Sequence, residues 1–289
     1  MYFYLITGIF CSSFLFTAFK LFEKYRVDSF KAIVFNYITA FLLAHMMSNG
    51  NVVSALVVAE WRWLALLLGL IFIVSFNIMA RSSQEAGVAI SSVANKMSFV
   101  GPILFGIFFL GEHYSILQNI GVVMAIFAVI LSSGLGSTKL ESTKLKLPIL
   151  LFFAGLAIDI ILHIGETQYI KEGENLLFTG STFGIAAVLG LIYMIIMSIK
   201  EKSTPKLRDI IGGILLGIPN FFSIFFFLSA LEESEKAGWD SSSKLFPMAN
   251  LGIIVVNALV GYFIFKEKLN RINYIGILLA LLSIALIII

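Results

Sequence analysis

Residues 61–80 read WRWLALLLGLIFIVSFNIMA, and Arg62 is the one charged residue among them. A membrane-spanning helix needs about 20 mostly apolar residues, so this stretch is long enough for one crossing of a lipid bilayer. A strand of a membrane barrel would be about half as long and would alternate between apolar and polar residues, which this run does not do. The stretch therefore predicts a helical membrane protein.

Similar apolar runs occur along the whole chain, separated by short polar segments. The composition agrees with this pattern, because 59% of the 289 residues are hydrophobic and only 13% are charged. A soluble domain carries about 25% charged residues. The ten predicted spans are 2–22, 30–48, 61–80, 86–110, 115–134, 147–169, 176–199, 208–231, 242–265 and 271–289.

We therefore expect an all-α integral membrane protein whose surroundings are the lipid bilayer, which is the cytoplasmic (inner) membrane if the chain is bacterial. The net charge of +3 does not indicate a nucleic-acid partner, because the basic residues lie in loops between the spans. The single Cys11 excludes an internal disulfide. The first 19 residues carry no charge, so the first segment is interpreted as a retained helix and not as a cleaved signal peptide.

The basic residues also predict the orientation of the bundle. Fifteen Lys and Arg residues flank the loops after odd-numbered spans, whereas three lie in the loops after even-numbered spans. Loops rich in Lys and Arg remain in the cytoplasm. The odd-numbered loops are therefore predicted to be cytoplasmic, and both chain ends to be external.

The second half of the chain repeats a pattern of the first half. The matched positions are Glu112 with Glu267 and Gly121 with Gly276, at an offset of 155, and Gly87 with Gly238, at an offset of 151. Each half would contain five spans, and an odd number forces the two halves into opposite orientations. We predict one five-helix unit over 1–138 and a second, inverted unit over 139–289. Inverted repeats of this kind are typical of secondary transporters.

The segment 110–121, LGEHYSILQNIG, resembles the signature that ends the fourth helix of EamA-type transporters, which belong to the drug/metabolite transporter superfamily. A degenerate second copy begins at Phe265-Lys266-Glu267. The resemblance covers the whole chain in architecture, and mainly 86–134 and 237–289 in motif. It implies ten helices in two inverted five-helix halves. Glu112 and Glu267 lie at predicted helix ends, and we interpret them as part of this fold signature and not as substrate ligands.

Two lysines lie inside predicted spans, where an ionisable residue costs about 2.5–3.5 kcal/mol and is a functional hypothesis by default. Lys96 lies near the middle of its span, and Lys244 lies one turn inside the equivalent span of the second half. Both could face one cavity and attract a carboxylate or a phosphate. The resemblance implies the same, because basic residues on these two helices contact the anionic group in the organophosphate and nucleotide-sugar branches. Lys244 could instead extend to the lipid headgroups.

Several uncharged polar residues within the spans could complete this site. They could equally form contacts between helices, which are worth about 0.6 kcal/mol on average. The candidate substrate-binding residues beside the lysines are Asn95, Ser92, Ser243, Asn36, Tyr37 and Asn220.

The predicted sixth span carries Asp159, His163 and Glu166, whose spacing of four and three residues places them on one helix face. A carboxylate and an imidazole at this depth could relay protons, since His titrates near neutral pH. Asp159 and His163 are therefore candidate proton-coupling residues. Alternatively, Asp159 neutralises Lys96 or Lys244 in a structural ion pair.

These observations favour a secondary transporter or exporter of a small polar metabolite, with a carboxylate or phosphate as the preferred group. A membrane-embedded enzyme and a non-transporting scaffold or lipid-handling protein are the alternatives. We expect no catalytic residue, metal or cofactor, because the sequence contains neither a Gly-rich nucleotide loop nor a His-Glu-x-x-His motif. The oligomeric state, a monomer or a homodimer, is left open.

Overall fold

A computed structural model describes residues 1–48, 51–111, 113, 115–132, 142–171, 173–236 and 242–288. All regular secondary structure within these ranges is helical. The α-helices are α1 (Tyr2–Tyr25), α2 (Ser29–Met47), α3 (Val52–Val58), α4 (Arg62–Glu85), α5 (Val88–Lys96), α6 (Val100–Phe105), α7 (Ile116–Ser132), α8 (Ser142–Gln168), α9 (Asn175–Glu201), α10 (Leu207–Lys236), α11 (Ser242–Phe263) and α12 (Arg271–Ile288).

Eight helical segments in the described ranges are long and apolar enough to cross a membrane. One of these segments, Val88–Phe109, contains both α5 and α6. Two further apolar helices, Ile116–Ser132 and Pro247–Phe263, are shorter. The prediction of an all-α, multi-pass membrane protein is confirmed, whereas the count of ten spans stays a prediction.

The segment Val88–Phe109 is not a regular α-helix throughout. Met97–Phe99 form a 3₁₀ turn between α5 and α6, and Gly106–Leu110 form a π-helical turn after α6. Pro102 explains the first irregularity, because it has no N–H to donate to the carbonyl of Ser98 and its ring would collide with that carbonyl in α-helical geometry. Lys96 therefore ends α5 at the point where the span is interrupted.

The short helix α3 lies in a segment that was predicted to connect two spans. Its sequence, VVSALVV, is apolar but covers only 7 residues, which is too short to cross a bilayer. Val53, Val57 and Val58 are exposed. A run of this length shows no periodicity by which a helix could be predicted.

Two helix pairs are held together by close backbone approach at glycine. A Cβ atom at Gly213 of α10 would lie 2.6 Å from the carbonyl oxygen of Ala32 in α2. In the other pair, a Cβ atom at Gly121 of α7 would lie 2.9 Å from the carbonyl oxygen of Ser283 in α12, and Ser283 Oγ donates to the Gly121 carbonyl at 2.8 Å. Small residues permit this approach in membrane bundles, where van der Waals contact drives helix association.

Candidate functional site

A cavity of about 250 Å³ lies in the middle of the bundle. Residues from α1, α4, α5, α8, α9, α10 and α11 line it, whereas α7 and α12 contribute none of the lining residues. Aromatic side chains form part of its wall, at Phe72, Phe178 and Phe227. Its polar lining consists of Ser12, Lys96, Asp159, Asn175, Thr179, Thr182, Ser223 and Asn250.

The cavity extends from Lys96 and Asp159 toward the face of the bundle at which α1 begins, which we call the N-terminal face. Leu5, Ile170 and Asn175 line this part, and each lies near the end of a helix or in a connection at that face. The opposite face, called the basic face below, carries the Lys- and Arg-rich connections after α1, α9 and α11. A smaller cavity of about 170 Å³ shares Lys96 and Asp159 and lies deeper, against α1 and α4.

Lys96 and Asp159 bring opposite charges into the same cavity, where they attract each other. Asp159 Oδ2 lies 2.6 Å from Ser98 Oγ, in the 3₁₀ turn after Lys96. Gly155, one turn before Asp159, makes this contact possible, because a Cβ atom there would lie 2.7 Å from Ser98 Oγ. The interrupted span and a glycine on α8 therefore position Asp159 against Ser98.

The Ser98 hydroxyl lies between two oxygen atoms, the Asn95 carbonyl and Asp159 Oδ2. A serine hydroxyl has one proton to donate. Both contacts are full hydrogen bonds only when Asp159 is protonated and donates to Ser98, which in turn donates to Asn95. When Asp159 is ionised, the Ser98 hydroxyl can donate its single proton to only one of the two acceptor oxygens at a time.

Asn95 and Asn220 line the smaller cavity together with Lys96, so the structure brings three predicted substrate-binding residues together. Asn220 Nδ2 donates to Asn36 Oδ1 at 3.1 Å, and Asn36 is buried behind it. Tyr37 is also buried and lines neither cavity; its hydroxyl donates to the Phe72 carbonyl at 2.8 Å. Asn36 and Tyr37 therefore support residues of the cavity wall.

The remaining predicted residues either do not line the two cavities or lie outside the described residues. Ser92 is buried, and its hydroxyl donates to the Ala89 carbonyl. His163 is not among the lining residues of either cavity, whereas its neighbour Leu162 lines the larger one. Glu112, Gly238 and the side chains of Ser243, Lys244 and Glu166 lie outside the described residues.

Several polar lining residues were not predicted from the sequence, among them Asn250, Ser223 and Ser12. A signal for Asn250 was present, because the offset of 155 that pairs Glu112 with Glu267 also pairs Asn95 with Asn250. Ser223 and Ser12 had no such signal, since serine is common in membrane helices and often bonds to its own backbone.

The chain is similar to several known proteins. A protein of Haemophilus influenzae described as uncharacterized is 29% identical over 289 residues, which are 97% of this chain and 95% of that protein. A probable glucose uptake protein, GlcU, of Staphylococcus epidermidis is 28% identical over 192 residues, 64% of this chain and 61% of that protein. The corresponding protein of Staphylococcus aureus strain MRSA252 is 24% identical over 67% of this chain and 64% of its own length.

Among the solved structures that are similar to this chain is a crystal structure with a TM-score of 0.61 over 98% of this chain and 97% of its own, at 13% identity, which supports the fold alone. No family model matches the chain. Membership of the EamA family stays a prediction. The chain is a multi-pass integral membrane protein, of the cytoplasmic (inner) membrane if bacterial, and its relatives include proteins named for glucose uptake.

Proposed function

We propose that the protein is a secondary transporter that carries a small, uncharged, hydroxyl-rich molecule, such as a sugar, through the central cavity by alternating access. The observation that carries this proposal is the cavity lining, in which Asp159 offsets the charge of Lys96 and the other polar groups are amides and hydroxyls. Amides both donate and accept hydrogen bonds, as sugar hydroxyls do. The relatives named as glucose uptake proteins support the same substrate class.

The size of the cavity also favours a small substrate. Sites for drug-sized ligands occupy about 300–1,000 Å³, and the larger cavity here occupies about 250 Å³. Phe72 and Phe178 would supply apolar contact to the faces of a sugar ring, and Asn250 and Ser223 would bond to its hydroxyls.

The sequence-based prediction of a substrate with a carboxylate or phosphate depends on Lys96 and Lys244 facing the same cavity. Among the described side chains that line the cavities, Lys96 supplies the positive charge and Asp159 stands beside it. An anion would have to compete with that carboxylate. An anionic substrate is therefore the second outcome that the experiment below distinguishes.

We also propose that residues 1–138 and 139–289 are two inverted five-helix units. Support comes from the α7–α12 pair, in which residues matched by the repeat pack reciprocally. Gly121 of α7 lies against Ser283 of α12, and Gly276 of α12 lies against Ser132 of α7. Asn273 Nδ2 donates to the Ser132 carbonyl at 2.6 Å and adds a polar bond to this contact.

Proton coupling through Asp159 is a further part of the proposal. The carboxyl has two states that the surroundings can accommodate: a protonated state bonded to Ser98, and an ionised state that is favoured by the positive charge of Lys96. A proton taken up by Asp159 would change the net charge of the cavity by one unit. His163, one turn away on α8, would deliver the proton. The alternative, a purely structural Lys96–Asp159 pair, predicts no response to a pH gradient.

The experiment is uptake by the purified full-length protein in proteoliposomes. Radiolabelled glucose and ribose represent neutral sugars, glucose 6-phosphate represents phosphates, and pyruvate represents carboxylates. We expect uptake of a neutral sugar, and at least a tenfold loss with Asn250→Ala but not with Ser92→Ala, whose hydroxyl bonds to its own helix.

Each other outcome contradicts a defined part of the proposal. Uptake of glucose 6-phosphate or pyruvate alone would refute the neutral substrate and restore the anion. Chemical conversion of a probe would favour the membrane-embedded enzyme. A correctly folded protein with neither uptake nor thermal stabilisation by any probe would favour the scaffold.

A further inference from the structure

A polar network joins the ends of α1, α2 and α4 at the basic face. The Lys20 ammonium donates to the Gln84 carbonyl near the end of α4. The Gln84 amide donates to the Phe19 carbonyl at 2.9 Å and to Ser29 Oγ at 3.0 Å. These bonds hold the last two turns of α1 against the last turn of α4.

Glu267, from the loop between α11 and α12, extends this network to the start of α5. Its Oε1 accepts from the Val88 backbone nitrogen at 2.6 Å, and its Oε2 accepts from Ala89 at 3.3 Å. A carboxylate at a helix N-terminus satisfies unpaired N–H groups and interacts favourably with the helix dipole. The Lys20 ammonium is near enough to act on the Glu267 carboxylate electrostatically.

Two glycines make room for this carboxylate. A Cβ atom at Gly87 would lie 2.8 Å from the Glu267 carboxylate, and Gly87 has a φ of +104°, which disfavours other residues. A Cβ atom at Gly261, at the end of α11, would also collide with it. The site is therefore built for Glu267, and it joins residues separated by 179 positions in the chain.

An apolar layer separates this network from the central cavity. Phe16, Phe76 and Met79 are buried and line the smaller cavity on the side nearest the basic face. Phe19 is fully buried and contacts Phe76, with 5.9 Å between the ring centroids. A substrate moving from Lys96 to the basic face would have to displace this layer, which the network holds in place.

We propose that Glu267 is a positioning residue and that Glu267, Lys20 and Gln84 form the gate of the transporter at the basic face. The gate is closed here, while the cavity extends toward the N-terminal face. Opening requires that α5, which carries Lys96, separate from Glu267 and that α1 separate from α4. This inference rests on the proposed transport function, but its test does not require a known substrate.

The test measures the accessibility of single cysteines from the two sides of the membrane. In a Cys11→Ser background of the full chain, Met79→Cys reports on the layer behind the gate, and Thr179→Cys reports on the larger cavity. A membrane-impermeant thiol reagent is applied to right-side-out and to inverted vesicles. Glu267→Gln keeps the size of the side chain but replaces one of its two oxygens with an NH₂ group, which cannot accept the hydrogen bond from Val88 or Ala89.

We expect Glu267→Gln to raise labelling of Met79→Cys from the basic face about tenfold and to lower labelling of Thr179→Cys from the N-terminal face. Lys20→Gln should act in the same direction, which keeps the proposal testable if one variant folds poorly. Glu60→Gln, an exposed acid at the N-terminal face, is the matched control and should change neither rate.

Unchanged labelling in folded Glu267→Gln and Lys20→Gln protein refutes the gate. If sugar uptake then persists, the transport proposal stands without the gate. If labelling shifts as expected and no substrate is carried, the gate stands and the proposed transport function fails. Equal increases from both sides would indicate general loosening of the bundle and would also refute the gate.

Discussion

The central cavity is separated from the basic face of the bundle but extends to the N-terminal face. At the basic face, hydrogen bonds hold α1, α2, α4 and α5 and the Glu267 loop above a layer of buried aromatic residues. At the N-terminal face, the cavity reaches residues at helix ends, such as Leu5 and Asn175. If the chain consists of two inverted halves, as we propose, the two faces should be similar when both halves are in the same state. The difference is therefore expected of a conformation closed on one side, and substitutions at the two faces should alter it to different extents.

The largest effect on transport is expected at Asp159, which lines both the larger and the smaller cavity. Asp159→Asn keeps the shape and the contact with Ser98 but removes the titrating group. If Asp159 couples transport to protons, uptake against a gradient should disappear while exchange at equilibrium continues. Uptake against a gradient is measured in proteoliposomes with an imposed pH gradient. Exchange at equilibrium is measured by counterflow of labelled sugar. Loss of folded protein, detected by size-exclusion chromatography, would instead favour the structural ion pair.

Next in size is the effect of filling the space behind Glu267. Gly87→Ala should open the basic face and destabilise the fold by about 1–3 kcal/mol, because the residue has positive φ and its Cβ would contact the carboxylate. Thermal unfolding and labelling of Met79→Cys measure the two effects. Gly173→Ala is the control, since Gly173 also has positive φ, +82°, but no atom within 4 Å of an added Cβ. Equal results for both glycines would mean that backbone strain alone is responsible.

A change at the N-terminal face should be smaller and should leave the gate intact. Thr179→Trp adds bulk to the wall of the larger cavity and should lower sugar uptake about tenfold, the cost of overpacking by 1–3 kcal/mol. Val188→Trp, on the exposed surface of the same helix, is the matched control. Labelling of Met79→Cys should stay at its original rate in both variants. A rise with Thr179→Trp would mean that the two faces do not act separately.

The smallest effect is a pH response of the gate itself. Burial raises the pKa of Glu267, outweighing the hydrogen bonds from Val88 and Ala89 and the charge of Lys20, which lower it. A carboxyl with a raised pKa binds its proton more tightly in the closed state than in an open, solvated one. Falling pH should therefore favour closure and slow the labelling of Met79→Cys.

This pH response is best measured in the Asp159→Asn background, with Glu267→Gln as the reference at each pH. The reference corrects for the ionisation of the reporter thiol. A response of equal size with Glu267→Gln would assign it to another group.

The sequence predicted the helices well because lipid imposes a strong constraint on composition. Long apolar runs correspond to α1, α4 and α9, and their ends were predicted to within several residues. The helix α3 was missed because seven apolar residues do not distinguish a helix from a connection. The break after Lys96 was also missed, although Pro102 was visible in the sequence.

The site was predicted in part for a related reason. Lys96 and Asp159 could be found because a charge within a span is costly and therefore informative. Their relation to Ser98 could not, since it depends on Gly155 of another helix. Glu267 was recognised as part of a motif at a helix end, but the helix that it caps is α5, 179 residues earlier in the chain. Such a partner is visible only in three dimensions.

The close pairing of α7 with α12 has a consequence for biosynthesis. Gly121 and Gly276, which lie at this contact, are separated by 155 residues. At a translation rate of roughly 5–20 residues per second, α7 waits roughly ten to thirty seconds in the membrane before its partner leaves the ribosome. During that interval its small-residue surface faces lipid or the insertion machinery. A nascent chain arrested before residue 271 would keep this surface uncovered, and quality-control proteases could recognise it as unassembled.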